Sequence, residues 1–481
     1  MSYLESSRVA RIALALIAGV LFYFALGLTP WWPAAWLAPI PILVAAFHAR
    51  GLEARLLAWL AAAIGLSSNF TYYLTTTGPV AAVVVTLLQV LLWGFLVGKT
   101  RAAVRAWPSW PAVFAFPVLL AALDTLVSFF SPHGTWGSFA YTQMDALPVI
   151  QIASVLGAPA VVFLVGLFAS AAALALYRGA RIERPWLAYG LPLALIAAGV
   201  GYGEIRLQRA AAAPTVKVGL ASIDDFIGRR TTPERVEAVW RGYGDLVTGL
   251  AGRGARIVVL PEKIAALAPE EADRRQAQLS ALAQRAGVHL VAGVQMNRAH
   301  GKDNVSWLFS PAGELLAEYR KQHMVPYLEN DLTPGNVELV GTIDGARFGL
   351  AICRDMIFTA FGRRYGQLGV SAMLVPAWDF YRDAWMASGV AALRGVENGY
   401  AVVRAGRESY LNVSDRYGRT LARRRSANLP GSSLLADLPL APAVPTFYAR
   451  HGDVFGWLSV VAAFVVLLQP AISKRLNARP K

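Results

Sequence analysis

The sequence predicts an α-helical membrane bundle of eight spans, with an α/β domain inserted between the seventh span and the eighth. Three observations point there. The 481 residues are 56% hydrophobic and only 16% charged, with a mean hydropathy of +0.45, a composition that belongs in a membrane. The apolar residues gather into long runs at both ends of the chain. Between them, 214–449 is of mixed polarity and alternates strand-like with helix-like patterns.

A helix crosses the hydrocarbon core with roughly twenty apolar residues. Runs of that kind cover approximately 9–28, 33–48, 56–75, 79–98, 110–130, 147–176 and 186–203, seven spans within 1–205. An eighth lies at 454–468, within 452–471, and a basic tail over 472–481 follows it. The first run has no clear small-residue cleavage site and six more spans follow, which argues against a signal peptide. Lys and Arg are disfavoured in translocated loops. Arg8 and Arg11, Arg50 and Arg55, then Lys99, Arg101 and Arg105, then Arg178, Arg181 and Arg184 fall on one side of this arrangement, as do Lys474, Arg475, Arg479 and Lys481. The loops at 29–32, 75–78 and 131–145 carry no Lys or Arg, so they and the inserted domain are expected outside. Much of the +15 formal charge is thereby a topology signal, and without a basic stripe interleaved with aromatics no nucleic-acid partner is expected.

Within the inserted domain, β-branched runs predict strands at 216–221, 256–260, 289–294, 305–310, 347–352, 372–376, 401–404 and 410–414. Amphipathic stretches predict helices at 233–251, 270–286 and 382–397. Ser310-Pro311-Ala312-Gly313 and Asp415-Arg416-Tyr417-Gly418 have the chemistry of hairpin turns. This is the pattern of an α/β domain.

Three polar residues stand where apolar strands stop: Glu262 after 257–261, Lys321 after 315–320, and Cys353 after 348–352. Sites in open α/β sheets form where strands end and loops begin. If the strands before Glu262 and Cys353 are parallel neighbours, both residues reach one edge. Cys353 is the only cysteine, which excludes an intrachain disulfide and a Cys-rich zinc site. A thiol attacks as thiolate, so a carboxylate must take its proton and a cation must favour the anion. Glu262 and Lys321 can supply these, with Lys321 and the backbone N–H of Arg354 as donors to an oxyanion. Each residue alone also has a structural reading: Cys353 as a small buried hydrophobe, Glu262 as a helix N-terminal charge, Lys321 as a solvated one. The six histidines show no ligand spacing, so no metal and no cofactor are expected.

The ordered set Pro261-Glu262, Lys321-Gln322-His323-Met324-Val325-Pro326 and Ile352-Cys353-Arg354-Asp355 resembles the Glu-Lys-Cys signature of the nitrilase, or carbon–nitrogen hydrolase, superfamily. With eight spans around it, the chain is similar to the apolipoprotein N-acyltransferase family, as a divergent member. Trp32-Pro33-Ala34, Gly134-Thr135-Trp136, Tyr141-Thr142-Gln143, Phe447-Tyr448-Ala449-Arg450, Trp378-Asp379, Glu397-Asn398 and Arg404 extend the likeness.

The resemblance implies a nitrilase-like αββα sandwich and a bacterial cytoplasmic (inner) membrane location, with the catalytic domain outside. It also implies two partners, a phospholipid acyl donor and a lipoprotein acceptor, joined by a thioester on Cys353. It carries Glu329 as an acidic position that supports Lys321 or Glu262, with Arg354 and Trp378 as further supporting residues. The chain departs from the family pattern at Arg354-Asp355, where Tyr-Glu is usual, and at Tyr327-Leu328, where Phe-Gly is usual. It departs also in the short segment from Glu329 to Phe348, and at Val127, three residues after Asp124, where the family has Arg. Two other functions fit the sequence: a membrane-tethered amidase or acyltransferase with another substrate, and a non-catalytic envelope scaffold. Loss of function in Cys353→Ala separates the scaffold from the enzymes.

Overall fold

The computed structural model describes residues 3–107, 109–209, 213–228, 230–298, 301–440 and 444–477. The chain divides into two compact units, 1–209 with 453–481, and 210–452.

In the first unit, six helices among the described residues are long and apolar enough to cross a membrane: Arg8–Leu26, Pro79–Ala106, Trp110–Phe130, Ala158–Arg178, Trp186–Gln208 and Val454–Ala471. This is two fewer than the sequence predicts. The expected span at 33–48 is divided into Trp32–Leu37 and Pro39–His48, because Pro39 and Pro41 lack the N–H that would continue the ladder. The helix Gly51–Thr77 is long enough, but Ser67, Ser68, Asn69, Thr71 and Thr75–77 make its second half polar. The expected span at 147–176 begins instead with two single turns, Leu147–Ile150 and Ala153–Leu156, before Ala158–Arg178. Gly157, at φ 76°, breaks the path between them. The side chains of 472–477 and all of 478–481, the expected basic tail, lie outside the described residues.

Small residues let these helices approach closely. A side chain on Gly19 would meet Ile64, and one on Gly65 would meet Phe22. The helix Pro79–Ala106 turns Val80, Val84, Leu87, Leu88 and Leu91 outward, an apolar face of the kind that needs lipid. Of the loop motifs of the resemblance, Tyr141-Thr142-Gln143 is buried. Asp124 accepts from Ser138 Oγ at 3.0 Å and Phe139 N at 3.1 Å. Gln143 accepts from Trp36 Nε1 at 2.7 Å and donates to the Trp32 carbonyl at 3.2 Å.

Among the described residues the second unit contains thirteen strands: β1 Thr215–Ser222, β2 Ile257–Val259, β3 Ala266–Leu267, β4 His289–Arg298, β5 Gly301–Phe309, β6 Leu315–Arg320, β7 Val340–Ile343, β8 Ala346–Leu350, β9 Ala372–Trp378, β10 Ala401–Arg407, β11 Tyr410–Ser414, β12 Thr420–Arg425 and β13 Ser432–Pro439. They form two sheets, β13-β1-β2-β4-β5-β6 with β3 beside β4, and β12-β11-β10-β9-β8-β7. Residues on successive strand positions face opposite ways, and burial on both faces makes this a four-layer domain. Val218, Leu220, Val259 and Val291 of the first sheet pack against Leu350, Val403, Ala405 and Leu411 of the second. Val258, Leu260, Leu290 and Ala292 face the other way, under Tyr243 and Val247 of the helix Pro233–Gly252 and Leu279 and Leu282 of Pro269–Ala286. The helices Thr359–Gln367 and Ala384–Asn398 accompany the second sheet. The layers run αββα, and both expected hairpin turns form, with Gly313 N bonded to Ser310 O at 2.9 Å and Gly418 N to Asp415 O at 3.0 Å.

One expectation fails in an instructive way. The strands before Glu262 and Cys353 are not neighbours: β2 lies between β1 and β4, and β8 lies between β7 and β9 in the other sheet. The sheets pack face to face, which brings Glu262 within electrostatic reach of the Cys353 thiol, and Glu262 N crosses to the Ala377 carbonyl, at the end of β9, at 3.3 Å.

Candidate active site

Glu262 leaves β2 through Pro261 and is held where Gly293 of β4 lies against it. A Cβ at Gly293 would come within 2.6 Å of the Pro261 oxygen and 2.7 Å of the Glu262 Cα. Lys321 continues β6, with its N–H on the Asn304 carbonyl at 2.9 Å. Cys353 opens a 3-10 turn, Cys353–Ile357, directly beyond β8. Its φ is +43°, in a region that L-residues occupy at a cost of about 1–3 kcal/mol and that recurs at functional turns.

Lys321 and the two carboxylates come together. Lys321 Nζ lies 2.8 Å from Glu262 Oε1 and 2.8 Å from Glu329 Oε2, and all three side chains are buried. Glu329 also accepts from Val325 N at 2.8 Å and pairs with Lys263. Asn304 Nδ2 joins the carboxylates, 2.6 Å from Glu262 Oε1 and 3.2 Å from Glu329 Oε1. Among the described residues Glu262 Oε2 is buried and has no hydrogen-bond partner, so the carboxylate is anchored by one oxygen and open at the other.

The half-buried Cys353 sulfur donates to the Trp378 carbonyl at 3.4 Å and lies 3.9 Å from Asp379 Oδ1. Arg404 grips Asp379 with two bonds, 2.6 and 2.8 Å, and Ser409 donates to the same carboxylate. Burial and the Glu262 carboxylate push the thiol well above its ordinary pKa, while Lys321 pulls it down; Asp379 adds to the rise and Arg404 opposes it. The resting sulfur is therefore a thiol, and attack requires a base. Burial works against the Lys321 charge, but Glu262 and Glu329 outweigh it and hold its pKa above that of an ordinary lysine. Burial likewise pushes the Glu329 carboxyl up, and Lys321 and Lys263 together leave it well below the usual carboxylate range.

Of the supporting residues, Trp378 is at the site through its carbonyl, and its ring stacks under the Arg407 guanidinium at 3.4 Å. Arg354 lies in the turn of the nucleophile with its guanidinium 5.6 Å from the Phe358 ring. Asp355, the second departure beside Cys353, ties the nucleophile turn to the Lys321 loop. It accepts from Ile352 N at 3.0 Å, Tyr319 Oη at 2.7 Å, Gln322 N at 3.1 Å and His323 N at 2.9 Å. Sequence reasoning did not single out Asn304 or Lys263, nor the clamp of Arg404 and Ser409 on Asp379. Lys263 carried one signal, a charge directly after the candidate base; Asn304 carried none beyond being polar within an apolar strand.

Residues 18–171 match the family described as Apolipoprotein N-acyltransferase N-terminal domain, and 218–413 match Carbon-nitrogen hydrolase. A protein of Geobacter metallireducens named Apolipoprotein N-acyltransferase is 27% identical over 94% of this chain and 94% of its own. Over nearly its whole length the chain is similar to the apolipoprotein N-acyltransferases. A second relative of that name, from Bradyrhizobium diazoefficiens, is 27% identical over 74% of both chains. Among solved structures, an amidase from Nesterenkonia sp. aligns at 20% identity and a TM-score of 0.42, over 50% of this chain and 94% of its own. These likenesses make the chain an acyltransferase, with the carbon–nitrogen hydrolase match in the second unit and the N-terminal-domain match in the first.

Proposed function

We propose that the chain moves a fatty acyl group from a phospholipid, through a Cys353 thioester, to the N-terminal amine of a lipoprotein. The observation that carries the mechanism is Glu262 Oε2, an unpartnered carboxylate oxygen in a buried site whose charge acts on the thiol. In the first half, Glu262 takes the Cys353 proton and the sulfur attacks the ester carbonyl. Lys321 and the Arg354 N–H receive the oxyanion. The C–O bond then breaks, and Glu262 returns the proton to the departing alkoxide, releasing lysophospholipid. In the second half, the acceptor amine attacks the thioester, Glu262 takes the amine proton, the C–S bond breaks, and the proton returns to sulfur. Glu329 keeps Lys321 in place throughout.

In this reading the chain crosses the bacterial cytoplasmic membrane eight times, with the catalytic domain outside. Gly51–Thr77 and the paired helices Trp32–Leu37 and Pro39–His48 supply the two crossings beyond the six long apolar helices. A 27-residue helix of ~1.5 Å per residue is ample for a core of ~30 Å. The alternation of basic and uncharged loops supports the same count. Both substrates are then anchored in the leaflet that borders the domain. The test is to incubate the purified full chain with phospholipid, weigh the adduct on Cys353, and add a diacylated lipopeptide. Transfer of the acyl group to the peptide amine is expected. Hydrolysis without transfer would assign an amidase-like activity, and full function of Cys353→Ala would assign a scaffold.

A further inference from the structure

Lys263 takes no part in the steps above, yet it is built into the same cluster. It follows Glu262 directly, is buried, and adopts a φ of +49°. Its ammonium pairs with Glu329 Oε1, while Lys321 takes Glu329 Oε2 at 2.8 Å. Asn304 Nδ2 spans from that same Oε1 to Glu262 Oε1. The cluster therefore contains two carboxylates and two ammonium groups, and its formal charges cancel. We propose that Lys263 is a positioning residue of the acyl-transfer site: by neutralising Glu329 it leaves Lys321 free to serve Glu262 and the oxyanion.

The argument is one of charge in a water-poor cavity. Moving the Cys353 proton to Glu262 leaves Lys263, Lys321, Glu329 and a thiolate, which is again neutral. Without Lys263 both states carry one excess negative charge, and the thiolate and oxyanion form in a repulsive field that burial leaves poorly screened. Lys321, alone between two carboxylates, is then held by both. The groups that face the pair limit what else can take over. Glu329 meets Lys321, Lys263 and, across Asn304, Glu262. Lys263 meets Glu329, the Trp378 ring at 6.0 Å, Arg407, which donates to its carbonyl at 3.0 Å, and the field of Asp331. Asp331 is itself paired with Lys302 at 2.5 Å. Arg407 is buried and donates to a backbone carbonyl, and among the described residues the cations paired with Glu329 are Lys263 and Lys321.

This inference rests on the acyl-transfer reading only for its substrate, because the thiol can be assayed alone. Cys353 is the one cysteine of the chain, so the mass gained from iodoacetamide reports its thiolate directly. Alkylation of the detergent-solubilised full chain is followed against pH for the wild type, Lys263→Met and Lys263→Arg, beside thioester formation from phospholipid. Losing the ammonium leaves the thiolate to form in a more negative field, so the acid limb of both profiles is expected to move up by about one pH unit in Lys263→Met. At its plateau that variant is expected to be roughly tenfold slower, and Lys263→Arg to restore both features. A Lys263→Met profile that superimposes on the wild type, or that is lowered by one factor at every pH, overturns the proposal. Wild-type alkylation with the expected profile but no acyl uptake from phospholipid overturns the donor assignment and leaves the role of Lys263 standing.

Discussion

Glu262 and Glu329 are the same residue type within one cavity, and their surroundings give them different work. Glu329 has both oxygens committed, to Lys321 and Val325 N on one side and to Lys263 and Asn304 on the other. Glu262 has one oxygen committed and one open. The difference predicts that Glu262→Gln, which keeps the shape and removes the base, lowers thioester formation by roughly 10²–10⁴-fold, with a smaller loss of stability than Glu329→Gln because Lys321 keeps Glu329 as a partner. Glu329→Gln instead leaves two buried ammonium groups short of a partner and is expected to cost about 3–5 kcal/mol in a denaturation experiment. The sign of its pH dependence follows from the depressed pKa. The stabilisation from Glu329 is complete above the unfolded value of about 4.3 and disappears as pH falls through the lower folded value. Melting temperatures of wild type and Glu329→Gln should therefore converge as pH drops below about 4, and parallel curves would contradict the pairing. The site residues differ in how far they were legible. Cys353, Glu262, Lys321 and Glu329 stand out because each follows a recognisable run or motif. Asn304 and Ser409 do not, because their role comes from partners 42 and 30 positions away along the chain.

At the scale of elements, the nucleophile turn and the Lys321 loop are one mechanical piece because Asp355 bonds to both. Asp355→Ala removes five contacts at once, the His323 ring among them. Amide exchange is expected to rise together in 321–325 and 353–357, with a stability loss of about 3 kcal/mol or more. Exchange confined to the nucleophile turn would show that the loop is held by other contacts. Gly293 sets the spacing between β4 and the end of β2. Gly293→Ala forces backbone apart, since its Cβ meets the Pro261 oxygen and the Glu262 Cα. The expected cost is about 1–3 kcal/mol, with a fall in kcat from the displaced carboxylate. Long strands with β-branched runs were readable from sequence. The edge strands β7, β12 and β13 and the two-residue β3 were not. β12 reads Thr-Leu-Ala-Arg-Arg-Arg and is mostly exposed, so it lacks the buried alternation that marks a strand and exists through its partner β11. The basic residues of the membrane unit had a second role hidden from the sequence: Arg101 donates to the Ala49 carbonyl at 2.7 and 2.9 Å, and Arg178 to the Trp107 carbonyl at 2.8 Å, closing helix ends.

At the scale of the whole molecule, the order of basic and uncharged loops makes a prediction about sidedness. In a Cys353→Ala background, Thr77→Cys is expected to react with a membrane-impermeant maleimide in intact cells, and Gly51→Cys only after permeabilisation. The reverse pattern would put the catalytic domain in the cytoplasm. What the sequence determined by itself was whatever is written locally: an apolar run long enough to cross lipid, a strand-like run that ends in a charge, a turn with Gly at the required place, and a lone cysteine. These depend on neighbours within a few residues, and propensity and periodicity act at that range. Only the tertiary structure decided which strands share a sheet, and there the expectation of adjacent β2 and β8 gave way to two packed sheets. It also decided which oxygen of Glu262 is open and which ammonium belongs to Glu329. Those outcomes depend on where burial brings together residues tens of positions apart. The charges in the cavity act on one another only because packing has removed the water between them.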